Sequence, residues 1–162
     1  MKNNGILRGS KQKGSYIIIT ECRRKTEITV GKLGPITFPM GFYAYVGSAM
    51  SGLETRVGRH LRSNKTMHWH IDYLLQKAYP TTVITGDGGK GIECALAQVM
   101  TKNLSSIPHF GCSDCHCQSH LYFSSNKETI LAEAIRSFYQ VTIPIKIHSI
   151  PNHNTYAFTL RS

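Results

Sequence analysis

The feature that most constrains the fold is a strand, a turn and a basic helix in direct succession over residues 43–62. The apolar run over residues 41–46 predicts a strand that ends at Gly47. Small residues over positions 48–52 predict a turn, and helical spacing then predicts a helix over residues 53–62. The chain therefore brings a tyrosine at a strand end close to the polar side chains of a helix.

The predicted helix has an apolar stripe and a charged side. Its apolar residues recur at helical spacing and should face a core; they are Leu53, Val57 and Leu61. Arg56 and His60 are four apart and share a face, whereas Arg59 and Arg62 should point further toward solvent. Together with Tyr45, Arg56 and His60 suit a phosphodiester substrate, because a phenol can handle a proton and a guanidinium can bind phosphate. The alternative is an ordinary strand tyrosine beside a surface arginine.

Size and composition favour one soluble domain. The chain has 162 residues, 41% of them hydrophobic, which is enough for a single core. No apolar run approaches the ~20 residues that a membrane span needs. The first residues are polar and basic and lack the apolar segment of a signal peptide. We therefore expect a cytoplasmic protein with no membrane partner.

The net charge of +10 is distributed unevenly. Residues 1–62 contain eleven Lys and Arg against three Asp and Glu, whereas residues 63–126 contain four of each. The positive excess thus lies in the half of the chain that contains the strand–turn–helix stretch. This distribution predicts a polyanionic partner, with DNA first and RNA not excluded. The alternative is a solvated basic surface that aids solubility.

Apolar periodicity along the chain predicts the α+β class: a small, mainly antiparallel sheet flanked by helices. Further strands are predicted over residues 15–20, 27–30, 36–38, 81–85, 121–123, 141–150 and 155–160. Further helices are predicted over residues 68–77, 92–102 and 127–139. The two strands between residues 27 and 38 form an extra N-terminal hairpin, and those after residue 140 form a C-terminal hairpin. Residues 1–13 should form a basic flexible arm.

Glu93 lies in the first turn of the predicted helix over residues 92–102, at the edge of its apolar stripe. One interpretation is a favourable interaction with the helix dipole. The other is a metal-binding carboxylate that points into a cleft. Spacing alone leaves both open.

Three of the five cysteines lie within six residues of one another. The five are Cys22, Cys94, Cys112, Cys115 and Cys117. An odd number without an export signal favours free thiols or a metal over disulfides. The last three cysteines and His120 supply four zinc-type ligands within nine residues. The alternative is a loop packed by small thiols.

Several of these residues occur in an ordered set. Gly14-Ser15-Tyr16 and Tyr45-Val46-Gly47 stand where one nuclease family has Gly-Ile-Tyr and Tyr-Ile-Gly. Arg56 follows Tyr45 by eleven residues, His60 follows one turn later, and Glu93 opens a later helix. With the segments RHLR, HWHIDYLL and FGCSDCHCQSHLYF, this set resembles the GIY-YIG nuclease superfamily, specifically its small stand-alone Uri-type branch. The two tyrosines are 29 residues apart because of the extra hairpin.

The resemblance covers residues 14–124 and implies a nuclease domain there, with residues 125–162 as a C-terminal helix and hairpin packed on it. It implies hydrolysis of nucleic-acid phosphodiesters, in DNA repair or processing, with one Mg²⁺ or Mn²⁺ ion on Glu93. Tyr45 would help to deprotonate the attacking water, and Arg56 would stabilise the phosphorane.

The resemblance also implies supporting roles. Tyr16 would orient Tyr45 or the water, and His60 would assist proton transfer or contact phosphate. Nucleic-acid contacts are expected at Gly47, Ser48, Arg59, Arg62, Lys65, His68 and His70. The competing hypothesis is a non-catalytic nucleic-acid-binding module, with or without structural zinc at the cysteine-rich loop. Nothing in the sequence indicates the oligomeric state.

Overall fold

The structure is a computed structural model and describes residues 11–89 and 91–151. These residues form the predicted α+β fold. The strands are β1 (Gly14–Cys22), β2 (Thr26–Thr29), β3 (Pro35–Phe38), β4 (Gly41–Ala49), β5 (Tyr79–Asp87), β6 (Ser105–Ser106), β7 (Leu121–Ser124) and β8 (Ile145–Ser149). The helices are α1 (Leu53–Leu61), α2 (His70–Leu75), α3 (Ile92–Thr101) and α4 (Lys127–Gln140). None of the helices described is long and apolar enough to cross a bilayer.

Six strands form one antiparallel sheet in the order β6-β7-β4-β1-β5-β8. Strands β2 and β3 form a separate hairpin, as predicted. The central strand β1 pairs with β4 and β5 on its two sides, and nearly all of its residues are buried. A strand covered on both faces is expected to be apolar throughout, which explains the unbroken Ile17–Ile19 run.

Two apolar layers cover the sheet because alternate strand residues point to opposite faces. Tyr16, Ile18 and Tyr45 face a layer that contains α1, α2 and the β2–β3 hairpin. Ile17 and Val46 face the layer formed by α3 and α4. The two tyrosines of the predicted site therefore lie on the α1 side of the sheet.

Several boundaries differ from the predictions. The strand predicted over residues 141–150 begins only at β8, because α4 continues to Gln140 and a turn follows it. Strand β4 does not end at Gly47 but continues to Ala49, because the start of β1 pairs with it through Gly14 and Ala49. Helix α2 is shorter than predicted, and β5 is longer. The short strand β6 was not predicted, since two residues carry no periodic signal.

The C-terminal strand β8 pairs with β5 and so forms one edge of the main sheet. Helix α4 packs over the same sheet beside α3. The second strand of the predicted C-terminal hairpin, over residues 155–160, lies outside the described residues. So do residues 1–10 of the predicted arm.

Candidate functional site

The two tyrosines lie side by side on adjacent strands. Tyr16 is opposite Gly47, and Tyr45 is opposite Ile18, so the two phenols are diagonal neighbours. Their ring centroids are 6.4 Å apart. A Cβ atom on Gly47 would lie 2.4 Å from both Cζ and Oη of Tyr16. The tyrosine ring therefore crosses directly over this glycine, and only a residue without a side chain fits there.

Tyr16 is the first member of a buried polar chain. Its hydroxyl lies 2.8 Å from Nε2 of His60 on α1. On the other side of the ring, Nδ1 of His60 lies 3.7 Å from Oδ1 of Asp72 on α2. The carboxylate favours a proton on Nδ1, so Nε2 accepts the hydrogen bond from the Tyr16 hydroxyl. Burial lowers the pKa of His60, although the nearby Asp72 acts in the opposite direction.

Asp72 is fully buried and is held by Arg59. The Arg59 guanidinium donates from Nη1 to Oδ1 and from Nη2 to Oδ2, each at 3.0 Å. The backbone N–H groups of His68 and Trp69 donate to Oδ2 at 2.9 and 2.8 Å. Burial alone would raise the pKa of Asp72, but its contact with His60 and these hydrogen bonds lower the pKa below its usual range.

The prediction that Arg59 points toward solvent is therefore wrong. A carboxylate removed from water needs a charged partner, and Arg59 is close enough to supply one. The helical spacing of Arg59 gave no sign of this, because Asp72 lies on a different helix.

Arg56 and Glu93 lie near both phenols. Burial raises the pKa of Tyr16 and of Tyr45, the Glu93 charge raises both further, and the Arg56 charge lowers both. The Arg56 guanidinium also lies over the ring of Trp69, with Cζ 4.7 Å from the ring centroid. Five predicted site residues thus come together in the structure: Tyr16, Tyr45, Arg56, His60 and Glu93.

The surroundings of Glu93 suit a hard divalent cation. The residue is half-buried in the first turn of α3, as predicted. Among the described residues its carboxylate forms no hydrogen bond or ion pair. Mg²⁺ typically binds one or two carboxylates and keeps several waters, so one half-buried carboxylate is a fitting donor set for such an ion.

The residues predicted to contact nucleic acid differ in exposure. Arg62 and His68 are exposed, whereas Ser48 is half-buried in β4. The Lys65 ammonium donates to the backbone oxygen of His60, and its side chain is 6% exposed. The His70 ring accepts a 2.8 Å hydrogen bond from the backbone of Gly111. Lys65 and His70 are thus engaged in contacts within the protein.

A second group of polar side chains lies at the start of α3. The ligand atoms of Cys94, Cys115, Cys117 and His120 all lie within 4.8 Å of one another. This cluster differs from the predicted zinc set in one member, because Cys94 takes the place of Cys112. The Cys112 thiol instead donates to the backbone oxygen of Phe110 at 3.4 Å. None of the cysteines in the described residues forms a disulfide.

Sequence reasoning missed Asp72 and Cys94. Both had a weak signal: Asp72 interrupts the apolar positions of α2, and Cys94 directly follows the predicted metal ligand Glu93. A charged residue on a buried helix face calls for a partner. Neither signal could identify that partner, because each partner is remote in sequence.

A comparison with protein families matches residues 15–143 to the family described as Domain of unknown function DUF123. Comparisons with curated proteins and with solved structures found no match. The matched range runs from β1 to the residues after α4 and includes every residue of the two clusters described above. Because it covers well over half of the sequence, the chain belongs to the DUF123 family.

Proposed function

We propose that this chain is a GIY-YIG-type, metal-dependent endonuclease that hydrolyses phosphodiester bonds in DNA, in repair or processing. The observation that carries the proposal is the convergence of two phenols, one guanidinium and one carboxylate that has no hydrogen-bond or ion-pair partner within residues 11–89 and 91–151. Tyr16 and Tyr45 are both within electrostatic reach of Arg56 and Glu93. A purely structural core has no need for this combination of groups beside a half-exposed carboxylate.

Glu93 would hold the divalent ion, Mg²⁺ or Mn²⁺, which when bound supplies charge stabilisation to the scissile phosphate and the leaving oxygen. The carboxylate alone would repel a phosphate. Its position near both phenols therefore makes chemical sense if a cation binds there.

Tyr45 takes the proton-handling role in this scheme. It is 6% exposed, against 1% for Tyr16, and the Tyr16 hydroxyl is already bonded to His60, so Tyr45 is the phenol that remains for the substrate. The hydroxyl positions the attacking water and helps to remove its proton. Burial raises the pKa of Tyr45, so nearby positive charge is needed for this step near neutral pH.

Arg56 binds the phosphate and stabilises the charge that develops on its oxygens. A guanidinium has a planar set of donors that matches phosphate oxygens in pairs. Its stacking on Trp69 restricts its orientation, so the donors are placed before substrate arrives.

Tyr16, His60 and Asp72 act as positioning residues. Because the Tyr16 proton is donated to His60, the Tyr16 oxygen can only accept hydrogen bonds from other groups, and Arg56 is one such donor. Asp72 keeps the proton on the far nitrogen of the His60 ring and so maintains this arrangement. These three buried side chains therefore help to orient the Tyr45 phenol.

The test is cleavage of a substrate panel with Mg²⁺, with Mn²⁺ and with a chelator. The panel contains supercoiled plasmid, flap, junction and single-stranded DNA, and the same structures in RNA. We expect wild type to cut at least one DNA substrate only with metal. Glu93→Gln should reduce the cleavage rate at least ~10²-fold, because a metal contributes several kcal/mol to the transition state. Glu128→Gln, which changes an exposed glutamate on α4, is the matched control and should cut normally.

Binding is measured in parallel by fluorescence anisotropy without metal, and Glu93→Gln should bind DNA at least as well as wild type. Equal cleavage by wild type and Glu93→Gln would remove the site assignment. The net charge of +10 favours one alternative, a binding module without chemistry. Salt-sensitive binding with no cleavage by wild type under any metal condition would establish that alternative instead.

A further inference from the structure

We propose that Cys94, Cys115, Cys117 and His120 bind one structural zinc ion. This donor set of three thiolates and one imidazole is a common composition of structural zinc sites. Because all four positions of a tetrahedron would be occupied by protein, the ion would have no open position for substrate or water. The proposed zinc is therefore separate from the divalent ion expected on Glu93.

The spacing of the donor atoms fits a tetrahedron. With Zn–S near 2.3 Å and Zn–N near 2.0 Å, neighbouring donors in a tetrahedral site are about 3.5–3.8 Å apart. The Cys115 sulfur and Nε2 of His120 are 3.4 Å apart, and no pair among the four donors exceeds 4.8 Å. Shifts of about 1 Å or less would bring the set to ideal geometry, within the reach of side-chain rotation.

The His120 ring is already oriented as a zinc ligand. Its Nδ1 lies 3.1 Å from the backbone oxygen of Val46, and a carbonyl can only accept, so Nδ1 carries the proton. The lone pair is then on Nε2, which faces the cysteines. A carbonyl that fixes the tautomer of a ligating histidine is the usual arrangement around protein-bound zinc.

The ring is also held by its own backbone. The His120 N–H donates to Phe110 at 2.8 Å, and its carbonyl accepts from Val46 N–H at 2.9 Å. The residue is 3% exposed. A buried histidine in a backbone framework of this kind presents its free nitrogen to the three thiols at little entropic cost.

The proposed zinc would join two elements of the candidate active site. Cys94 directly follows Glu93 in the first turn of α3. His120 is hydrogen-bonded to β4 at Val46, the residue after Tyr45. An ion between them would hold the start of α3 at a set distance from the end of β4. This positioning role rests on the proposed nuclease function, whereas zinc binding itself does not.

The experiment measures zinc per chain by mass spectrometry in protein expressed with zinc and purified without a histidine tag. We expect one zinc in wild type, almost none in Cys94→Ser and one in Cys112→Ser. Cys112 is the matched control, because it lies in the same loop but outside the cluster. Replacement of zinc by Co²⁺ in wild type should give the visible bands of a tetrahedral, thiolate-rich site. This second measurement needs no variant, so it holds even if Cys94→Ser fails to fold.

Wild type that contains no zinc and takes up neither Zn²⁺ nor Co²⁺ would overturn the proposal. Equal loss of zinc from Cys94→Ser and Cys112→Ser would overturn the ligand set, and iron with sulfide in place of zinc would overturn the metal. The two proposals fail separately. Protein that holds zinc but cuts no nucleic acid would support the zinc site and refute the nuclease function. Protein that cuts nucleic acid but binds no zinc would support the nuclease function and refute the zinc site.

Discussion

Replacing Gly47 with alanine tests the geometry on which the candidate site depends. The new methyl group would lie 2.4 Å from Cζ and Oη of Tyr16, whereas ordinary contacts begin at 3.4 Å. The Tyr16 ring would therefore have to move by about 1 Å, judged against the dense packing of protein interiors. It has little room to do so, because it is 1% exposed and packs against the rings of Tyr45 and His60.

The sign of the change in the free energy of unfolding shows whether the clash or the backbone entropy dominates. Gly→Ala at an ordinary φ normally stabilises a protein by about 0.4–1 kcal/mol, since it restricts the unfolded chain. Overpacking a filled core costs about 1–3 kcal/mol, and loss of the Tyr16–His60 hydrogen bond costs about 1 kcal/mol more. We expect Gly47→Ala to lower the free energy of unfolding by about 1–3 kcal/mol.

Urea unfolding followed by circular dichroism measures this change. Gly89→Ala is the matched control, because no heavy atom of the described residues lies within 4 Å of the added carbon. The control should be neutral or stabilising. In a Tyr16→Ala background, Gly47→Ala should no longer destabilise, because the clashing ring is absent. The reasoning is refuted if Gly47→Ala matches the control, or if its cost is unchanged without the Tyr16 ring.

Other changes test the buried charges and the exposed ones. Asp72→Asn should lower the unfolding free energy by about 2–4 kcal/mol in urea titrations, less than for a fully buried ion pair because Arg59 is 24% exposed. Folding lowers the pKa of Asp72 below its reference value of 3.8, so its contribution is complete above about pH 5 and is lost as the pH falls through and below 3.8. The gap in stability between wild type and Asp72→Asn should therefore shrink on acidification from pH 5 to pH 2; a constant gap would contradict the assigned charge. Arg59→Ala should destabilise the fold, whereas Arg62→Ala should leave stability within about 0.5 kcal/mol. Arg62→Ala should instead weaken DNA binding and reduce its salt dependence by about one released counterion, measured by anisotropy over a salt series; destabilisation by Arg62→Ala without an effect on binding would reverse these roles.

The sequence by itself determined the parts of the protein that have a local period. Helical spacing located α1, α3 and α4 to within one residue of their observed ends. Apolar runs between Gly and Pro located the β2–β3 hairpin. These features are readable because backbone hydrogen bonding and a single buried face impose a repeat on neighbouring residues. The candidate residues Tyr16, Tyr45, Arg56 and Glu93 were also found from the sequence, and the fold brings them together.

Only the tertiary structure decided which side chains meet across elements. Strand β4 is longer than its own residues indicate, because its last pairs are made with β1. Arg59 turns inward because Asp72, thirteen residues away on another helix, is buried there. Cys94 and not Cys112 joins the cluster of Cys115, Cys117 and His120, because α3 packs against the loop that precedes β7. A buried charge or thiol meets its partner because the fold brings segments that are remote in sequence into contact. The spacing of residues along the chain gives no sign of such contacts.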